Sequence, residues 1–449
     1  MAITNYYARW DTGNDYKGAT FTDGAFANAT LTLTKAGAFT NTKVNHWLYL
    51  DDNGSGEVTT GYYRVTGIAG VPNSVVLNAD IRSGANDPAD VVCTQAAGTL
   101  ALPWRSVQAV DLVVRDAVNG DQINISDAAA QVLAASLDLT TYGTPTGAAP
   151  LILRGYTAAA NDGGQGEIDC GGAPLWTVGT YDAWQLIDLE VHTFGDNNGI
   201  VGDDECNVIH CYVHKGASGP VNKSAILIDD LAMVSGCYVP AYGTGTGAEI
   251  ATGNGFVTDN YVIAHSVGIS CDTTHTRIRG NLVVCPGNAS GIYSYQTNQD
   301  VVGNAVWAAI GNTGAGIYIG INNRTNHVIH DNIVCNFSGV GGRGIDLDSS
   351  DVRILGYNAF YNNTANYTDV DNIWYDLRAN DVALAADPFV NAAAGDFSYT
   401  EAAKTALRSL GWPASYLSAH ANSDPHITIG PMQYGPIQAV NLLRGRLGA

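Results

Sequence analysis

The sequence predicts an all-β solenoid of stacked parallel strands, and three observations carry the prediction. A six-residue pattern, apolar-x-x-Asn-x-apolar with Cys sometimes in place of Asn, recurs seven times between Gly199 and Phe360. The copies read VIHCYV (208–213), VSGCYV (234–239), VTDNYV (257–262), IRGNLV (278–283), VVGNAV (301–306), IHDNIV (329–334) and LGYNAF (355–360). Their anchors, Cys211, Cys237, Asn260, Asn281, Asn304, Asn332 and Asn358, are spaced by 26, 23, 21, 23, 28 and 26 residues. A second marker runs in phase with them: GIV (199–201), AIL (225–227), AEI (248–250), GIS (268–270), GIY (291–293), GIY (316–318) and GID (344–346). Finally, the copies are rich in Val, Ile, Gly and Asn and keep no 3.6-residue apolar period, which excludes an amphipathic helical repeat. Repeats of roughly 20–30 residues built from short β runs and Gly/Asn turns mark a solenoid.

Each copy holds two or three short strands and cannot bury its apolar side alone. Stacking places Val on Val and Ile on Ile in continuous columns, with strands about 4.8 Å apart, so seven copies rise about 30 Å. Asn suits the anchor because it tolerates the left-handed backbone of a sharp corner. Its amide also donates to one rung and accepts from the next. Cys fits the same place as a small buried residue.

On these residues the chain resembles the right-handed parallel β-helix, the pectate-lyase-like superfamily, with its internal Asn ladder. A second match lies upstream. Trp104–Val118 (WRSVQAVDLVVRDAV) reads as an amphipathic helix, ended by Asn119-Gly120-Asp121 before the apolar run QINI. It is similar to the helix that caps the first rung of such solenoids, where unpaired strand edges need cover. PLILRGY (150–156), GEIDCGG (166–172) and AWQLIDLEV (183–191) read as early, less regular rungs. The expected fold is thus all-β: a right-handed parallel β-helix over 104–398 with an N-terminal capping helix, preceded by a separate small β domain over 1–103. Residues 399–449 form a C-terminal segment with a short helix and a tail.

In the N-terminal region, runs such as HWLYL (46–50), YYRVTGI (62–68) and SVVLNADI (74–81) alternate around DDNGSG (51–56), which reads as a β module. ALPW (101–104) is the joint. Near the other end, DPFVNAAAGDF (387–397) resembles a closing rung, and EAAKTALRSLG (401–411) predicts a short helix ended by Gly411 and Pro413. The apolar tail beyond it either covers the open solenoid end or meets a partner subunit.

Composition bounds the function. Charged residues make up 14% of the chain, there are 52 Gly, and the net charge is −21. Gly-rich, weakly charged sequence suits a rigid solenoid with tight corners. The acidic balance argues against nucleic acid, which needs basic patches. It also repels polyanionic glycans unless a cation intervenes, and it favours solubility. The cysteines at 93, 170, 206, 211, 237, 271, 285 and 335 form no C-x-x-C pair and read as buried free thiols. MAITNYYARW shows no secretory signal, and no apolar stretch is long enough to span a membrane.

Hydrolysis of a glycosidic bond calls for two carboxylates about 5–10 Å apart. Asp203, Asp204 and Glu205 on one rung and Asp229 and Asp230 on the next are the catalytic candidates. Asp272, Asp346 and Asp348 lie at comparable positions further along. Asp also caps exposed turns, so these acids have a structural alternative. The acid column offers carboxylate oxygens to Ca²⁺, although no dedicated calcium loop is present and no cofactor is expected. Cys206, His210, Cys211 and His214 suggest a metal cluster, but strand alternation points Cys211 inward and His214 outward. His327 and His330 read as exposed strand residues. Tyr212, Tyr238 and Tyr261 follow successive anchors, while Tyr293 and Tyr318 follow the other marker. Stacked on a solenoid face, they suit sugar rings or a subunit interface.

The expected function is that of a bacteriophage virion protein of the tailspike, fibre or capsid-decoration type. A small β module ahead of a capped β-helix resembles the tailspike layout. Such a protein is a homotrimer, meets other virion proteins and binds host surface polysaccharide, without nucleic acid or membrane. The rival expectation is a polysaccharide lyase or glycoside hydrolase of the β-helix class.

Overall fold

The structure, a computed structural model, describes residues 5–9, 21–40, 42, 44, 47–70, 72–94, 120–132, 137–138, 146, 148–170, 176–177, 183–192, 198–202, 205–214, 223–229, 231–240, 248–320, 325–348, 351–368 and 373–407. The expected joint and capping helix (101–118) and the tail beyond 407 lie outside the described residues. The chain divides into two compact units, Met1–Glu190 and Val191–Ala449. Among the described residues the single α-helix is Glu401–Leu407, and none is long and apolar enough to cross a membrane.

In the first unit, six antiparallel-paired strands between Phe21 and Thr94 close into a small barrel. The barrel is filled by Phe21, Phe26, Leu33, Phe39, Leu48, Leu50, Val65 and Leu77. Asn5–Ala8 stands outside it and pairs in parallel with Gln122–Ser126, which in turn pairs with Leu151–Tyr156 and that with Trp184–Ile187. These are the early rungs, and the first of them is joined by the chain's own N-terminal strand.

The second unit is a parallel β-helix. Each turn contributes one strand to each of three sheets. A marker sheet carries the Gly-Ile residues, a pre-anchor sheet the residues leading to the anchor, and a post-anchor sheet the residues after it. Strict register stacks like on like. Ile226, Ile250, Ile269, Ile292, Ile317 and Ile345 form one inward column. Val208, Val234, Val257, Ile278, Val301, Ile329 and Leu355 form a second. All are fully buried. The marker glycines are needed because a Cβ on Gly268, Gly291 or Gly316 would fall 2.2–2.4 Å from a methyl of Val283, Val306 or Val334.

At the corner between the second and third sheets the anchors form a ladder. The backbone N–H and Nδ2 of Asn260 both donate to Oδ1 of Asn281, at 3.0 and 2.9 Å. The same pair of bonds runs from Asn281 to Asn304, from Asn304 to Asn332 and from Asn332 to Asn358, all at 2.9–3.1 Å. Each Nδ2 also donates backwards to a carbonyl of the preceding rung, as Asn304 does to Ile278 at 2.9 Å. The Asn residues themselves do not take the left-handed backbone expected of them. The residue before the anchor takes it instead: His210, Gly236, Asp259, Gly280, Gly303, Asp331 and Tyr357 all have φ between 52° and 68°. The side-chain amide is thereby left free to stack.

The ladder has an eighth member absent from the Asn pattern. Asp381, 23 residues past Asn358, accepts from the Asn358 N–H at 2.8 Å and from the Tyr367 hydroxyl at 2.7 Å. The expected closing rung folds differently. Phe389–Asn391 and Asp396–Tyr399 pair as an antiparallel hairpin that, with Glu401–Leu407, lies on the outside of the post-anchor sheet over Leu282, Ala305, Trp307 and Ile333. All eight cysteines are buried.

Two expectations follow. Asn304→Ala orphans the Asn281 donors and the Ile278 carbonyl, at about 1–3 kcal/mol per buried group, so urea unfolding should register a loss of about 3 kcal/mol or more. Burial pushes the Asp381 carboxyl up from an ordinary 3.8 to about 6, against the opposing pull of Tyr367, the Asn358 amide and Arg378. A raised folded value means a contribution to stability that is present below about pH 4 and lost as pH rises through 6. Asp381→Asn continues the ladder with a neutral amide. It should raise the melting temperature at pH 7.5 and flatten its dependence between pH 4 and 7; an unchanged pH profile would contradict this.

Candidate functional site

The candidate site lies on the outer face of the marker sheet. Register puts Leu227, Ala251, Ser270, Tyr293, Tyr318, Asp346 and Thr368 in one outward column. Tyr293 and Tyr318 are direct neighbours, with ring centroids 4.2 Å apart. Tyr295, one pleat on from Tyr293, brings a third ring to 4.6 Å from Tyr293 and 6.4 Å from Tyr318. All three rings are half-buried. Gly320 makes the arrangement possible: a Cβ there would fall 1.8 Å from the Tyr318 ring. The ring lies across the glycine.

Carboxylates border the rings. The Tyr318 hydroxyl donates to Asp348 Oδ2 at 2.9 Å. Asp272 is exposed beside Tyr295 and is met by the Ser270 hydroxyl at 3.4 Å. Asp346 is 1% exposed, pairs with Arg343 and accepts from Thr368 at 2.9 Å. Burial, then the hydrogen bond to Tyr293, hold the Tyr295 phenol well above its ordinary range. Burial and the Asp348 hydrogen bond do the same for Tyr318. The phenols therefore stay neutral and act as hydrogen-bonding groups. Flat rings, neutral hydroxyls and fixed carboxylates together can hold a polyhydroxylated ligand.

The five expected tyrosines do not share a face. Tyr212, Tyr238 and Tyr261 stack along the post-anchor sheet with centroids 5.1 and 5.0 Å apart. Tyr261 is 7% exposed, because Phe397 of the C-terminal hairpin packs against it at 6.0 Å. The Tyr212 end runs on to His214, at 4.2 Å. This stack is therefore covered by the chain itself at one end. Of the expected acids, Asp203, Asp204 and Asp230 lie outside the described residues; Glu205 and Asp229 are exposed, Glu205 with φ 61°. Among Cys206, His210, Cys211 and His214, both thiols are buried while His214 stacks outside on Tyr212. His327 and His330 are buried rather than exposed, since their pre-anchor strand packs between neighbouring rungs; His330 Nδ1 sits 2.6 Å from Asp331. Sequence reasoning missed Tyr295, Gly320 and Arg343. The spacing Tyr-x-Tyr after the marker was the available signal for the first.

With this geometry in place, comparison with known proteins adds one relation. A family described as "Periplasmic copper-binding protein (NosD)" matches residues 199–392, the span of the regular repeat and less than half of the chain. No curated protein matches. Copper is held by thiolate, thioether or imidazole. In the matched span the six cysteines are buried in the solenoid and Met233 is the single methionine. Among the described residues there, no three His, Cys, Asp or Glu side chains bring their ligand atoms together. The residues present do not fit a copper centre. What this chain shares with NosD is similarity over the β-helix repeat.

Proposed function

We propose that the chain is a rigid β-helical scaffold that binds glycans through the Tyr293–Tyr295–Tyr318 face. The observation that carries this reading is the cluster of three half-buried rings, within 4.2–6.4 Å of one another, bordered by Asp348 and Asp272. Sugar rings place C–H groups on such faces and hydroxyls on such acceptors. A setting outside the cytoplasm accords with the periplasmic description of the matching family. A virion appendage, trimeric and of tailspike, fibre or decoration type, is the form we infer from the small β module ahead of a β-helix.

The rival reading is a polysaccharide lyase or glycosidase of this fold. It draws on the acids beside the tyrosines, yet Asp346 is held by Arg343 and Thr368 and is closed to solvent. Binding without cleavage therefore fits the face better.

An oligosaccharide array followed by calorimetry tests the binding claim. Tyr293→Ala and Tyr318→Ala should each weaken binding about tenfold or more, which corresponds to about 1.4 kcal/mol. Gly320→Ala should weaken it too by displacing the Tyr318 ring, and its circular dichroism should stay that of the parent. Binding that survives all three changes removes the site. Light scattering after size exclusion tests the appendage form: a mass of three chains is expected, and a monomer discards the trimer while leaving the binding claim intact.

A further inference from the structure

We propose that the outer face of the pre-anchor sheet binds a tetrahedral oxyanion, a sulfate or phosphate ester on a small molecule, through Arg277 and Arg279. Register places Phe256, Arg277 and Asp300 side by side on successive rungs. Arg279 follows Arg277 on the same strand, one pleat on. Val257, Ile278 and Val301 are fully buried, so the residues that flank them point outward. This face belongs to a different sheet from the Tyr293–Tyr295–Tyr318 cluster, and the proposal does not rest on that cluster.

The Arg277 guanidinium lies over the Phe256 ring, 5.1 Å from its centroid, which holds the plane of its fork. Arg279 Nη2 donates to Asp300 Oδ2 at 2.7 Å. Arg277 Nε stands 3.9 Å from the same oxygen, too far for a hydrogen bond. Two forks thus converge on one carboxylate, and among the described residues it accepts a single hydrogen bond from them. The Arg277 side chain is 52% exposed and that of Arg279 33%, so both are within reach of a ligand. Arg279 Nε is closed to water, and no acceptor meets it among the described residues. A buried N–H in that state costs about 1–3 kcal/mol, and turning the fork onto an incoming oxyanion relieves the cost. A planar carboxylate offers its oxygens in one plane, and Asp300 already fills that role. A sulfate or phosphate ester spreads its oxygens around a tetrahedron and can accept from both forks together. The net charge of −21 opposes an anion at long range, but salt screens that field beyond about 8 Å, and contact with the two forks decides.

Calorimetry of the full chain at pH 7 and about 0.15 M salt, with glucose 6-sulfate, glucose 6-phosphate and uncharged glucose, tests the proposal. One or both esters should bind about tenfold or more tightly than glucose, and the ester that binds names the oxyanion. Arg277→Lys keeps the charge but loses the planar fork and its seat on Phe256, and should weaken ester binding about tenfold. Asp300→Asn frees both forks from their internal competitor and should strengthen it about threefold or more. A purely structural ion pair gives no such gain, and a misfolded chain cannot produce it. In nitrogen-resolved magnetic resonance of labelled arginine, the Arg279 Nε–H should shift when the ester binds. Esters that bind no better than glucose overturn the proposal. So do esters that bind Arg277→Lys as tightly as the parent, or Asp300→Asn no more tightly.

Discussion

The stacked anchor amides are the constraint on which the second unit depends. An Asn side chain inside a protein must satisfy two donors and an acceptor, and an isolated one in this corner would be costly. Stacked at one rung per turn, the Oδ1 of Asn281, Asn304, Asn332 and Asn358 each takes two donors from the rung before it, and the Nδ2 of Asn260, Asn281, Asn304 and Asn332 serves both directions. Removing a member leaves donors of the rung before it and a carbonyl of the preceding rung without that partner. The ladder therefore fixes the register of every turn to within one residue, and a one-residue slip would turn the Ile and Val columns outward. Asp381 ends the series with oxygens where donors from Asn358 and Tyr367 arrive. A carboxyl serves as terminus because nothing beyond it in the ladder has to be fed a hydrogen.

Fixed register is also what makes surface columns. Because each rung repeats the last, a residue type recurring at one repeat position recurs in space about 4.8 Å away. Tyrosines become stacks by this rule alone, and the described residues of the second unit hold two of them. The C-terminal hairpin covers the Tyr261 end of the first through Phe397, and it also engages Trp307 and Leu282. The second, on the marker sheet, is half-buried and is bordered by acids. One stack is thus partly used for packing and the other is the face we propose for a ligand, although both arise from the same periodicity.

Most of the solenoid was legible because its determinants are local and repeated: anchor, marker and inward apolar residues recur in phase along the chain. What escaped has non-local or chemically mixed causes. The left-handed corner is filled by His210, Gly236, Asp259 and Tyr357 alike, since the neighbouring Asn carries the specificity, so no residue type marks it. Asp381 escaped because the terminal rung accepts a different side chain. The division of the tyrosines between two sheets follows from their phase, one residue after the anchor or two after the marker glycine, and that phase was legible. The burial of Tyr261 was not, because Phe397 lies 136 residues away in sequence. Gly320 shapes the site by what it lacks, and its role is visible only when the Tyr318 ring is seen lying across it. The similarity to a copper-binding family covers the repeat, and among the described residues there it brings no three copper-ligating side chains together, because a ladder and its apolar columns are indifferent to what decorates the outer face.

The central claim is that the marker-sheet tyrosines, and not the partly covered post-anchor stack, meet a glycan. Nuclear magnetic resonance of the chain with isotopically labelled tyrosine rings, titrated with an oligosaccharide that binds, tests it most directly. The account predicts shifts at Tyr293, Tyr295 and Tyr318, with Tyr212, Tyr238 and Tyr261 unmoved. Shifts confined to Tyr212 and Tyr238 would contradict it.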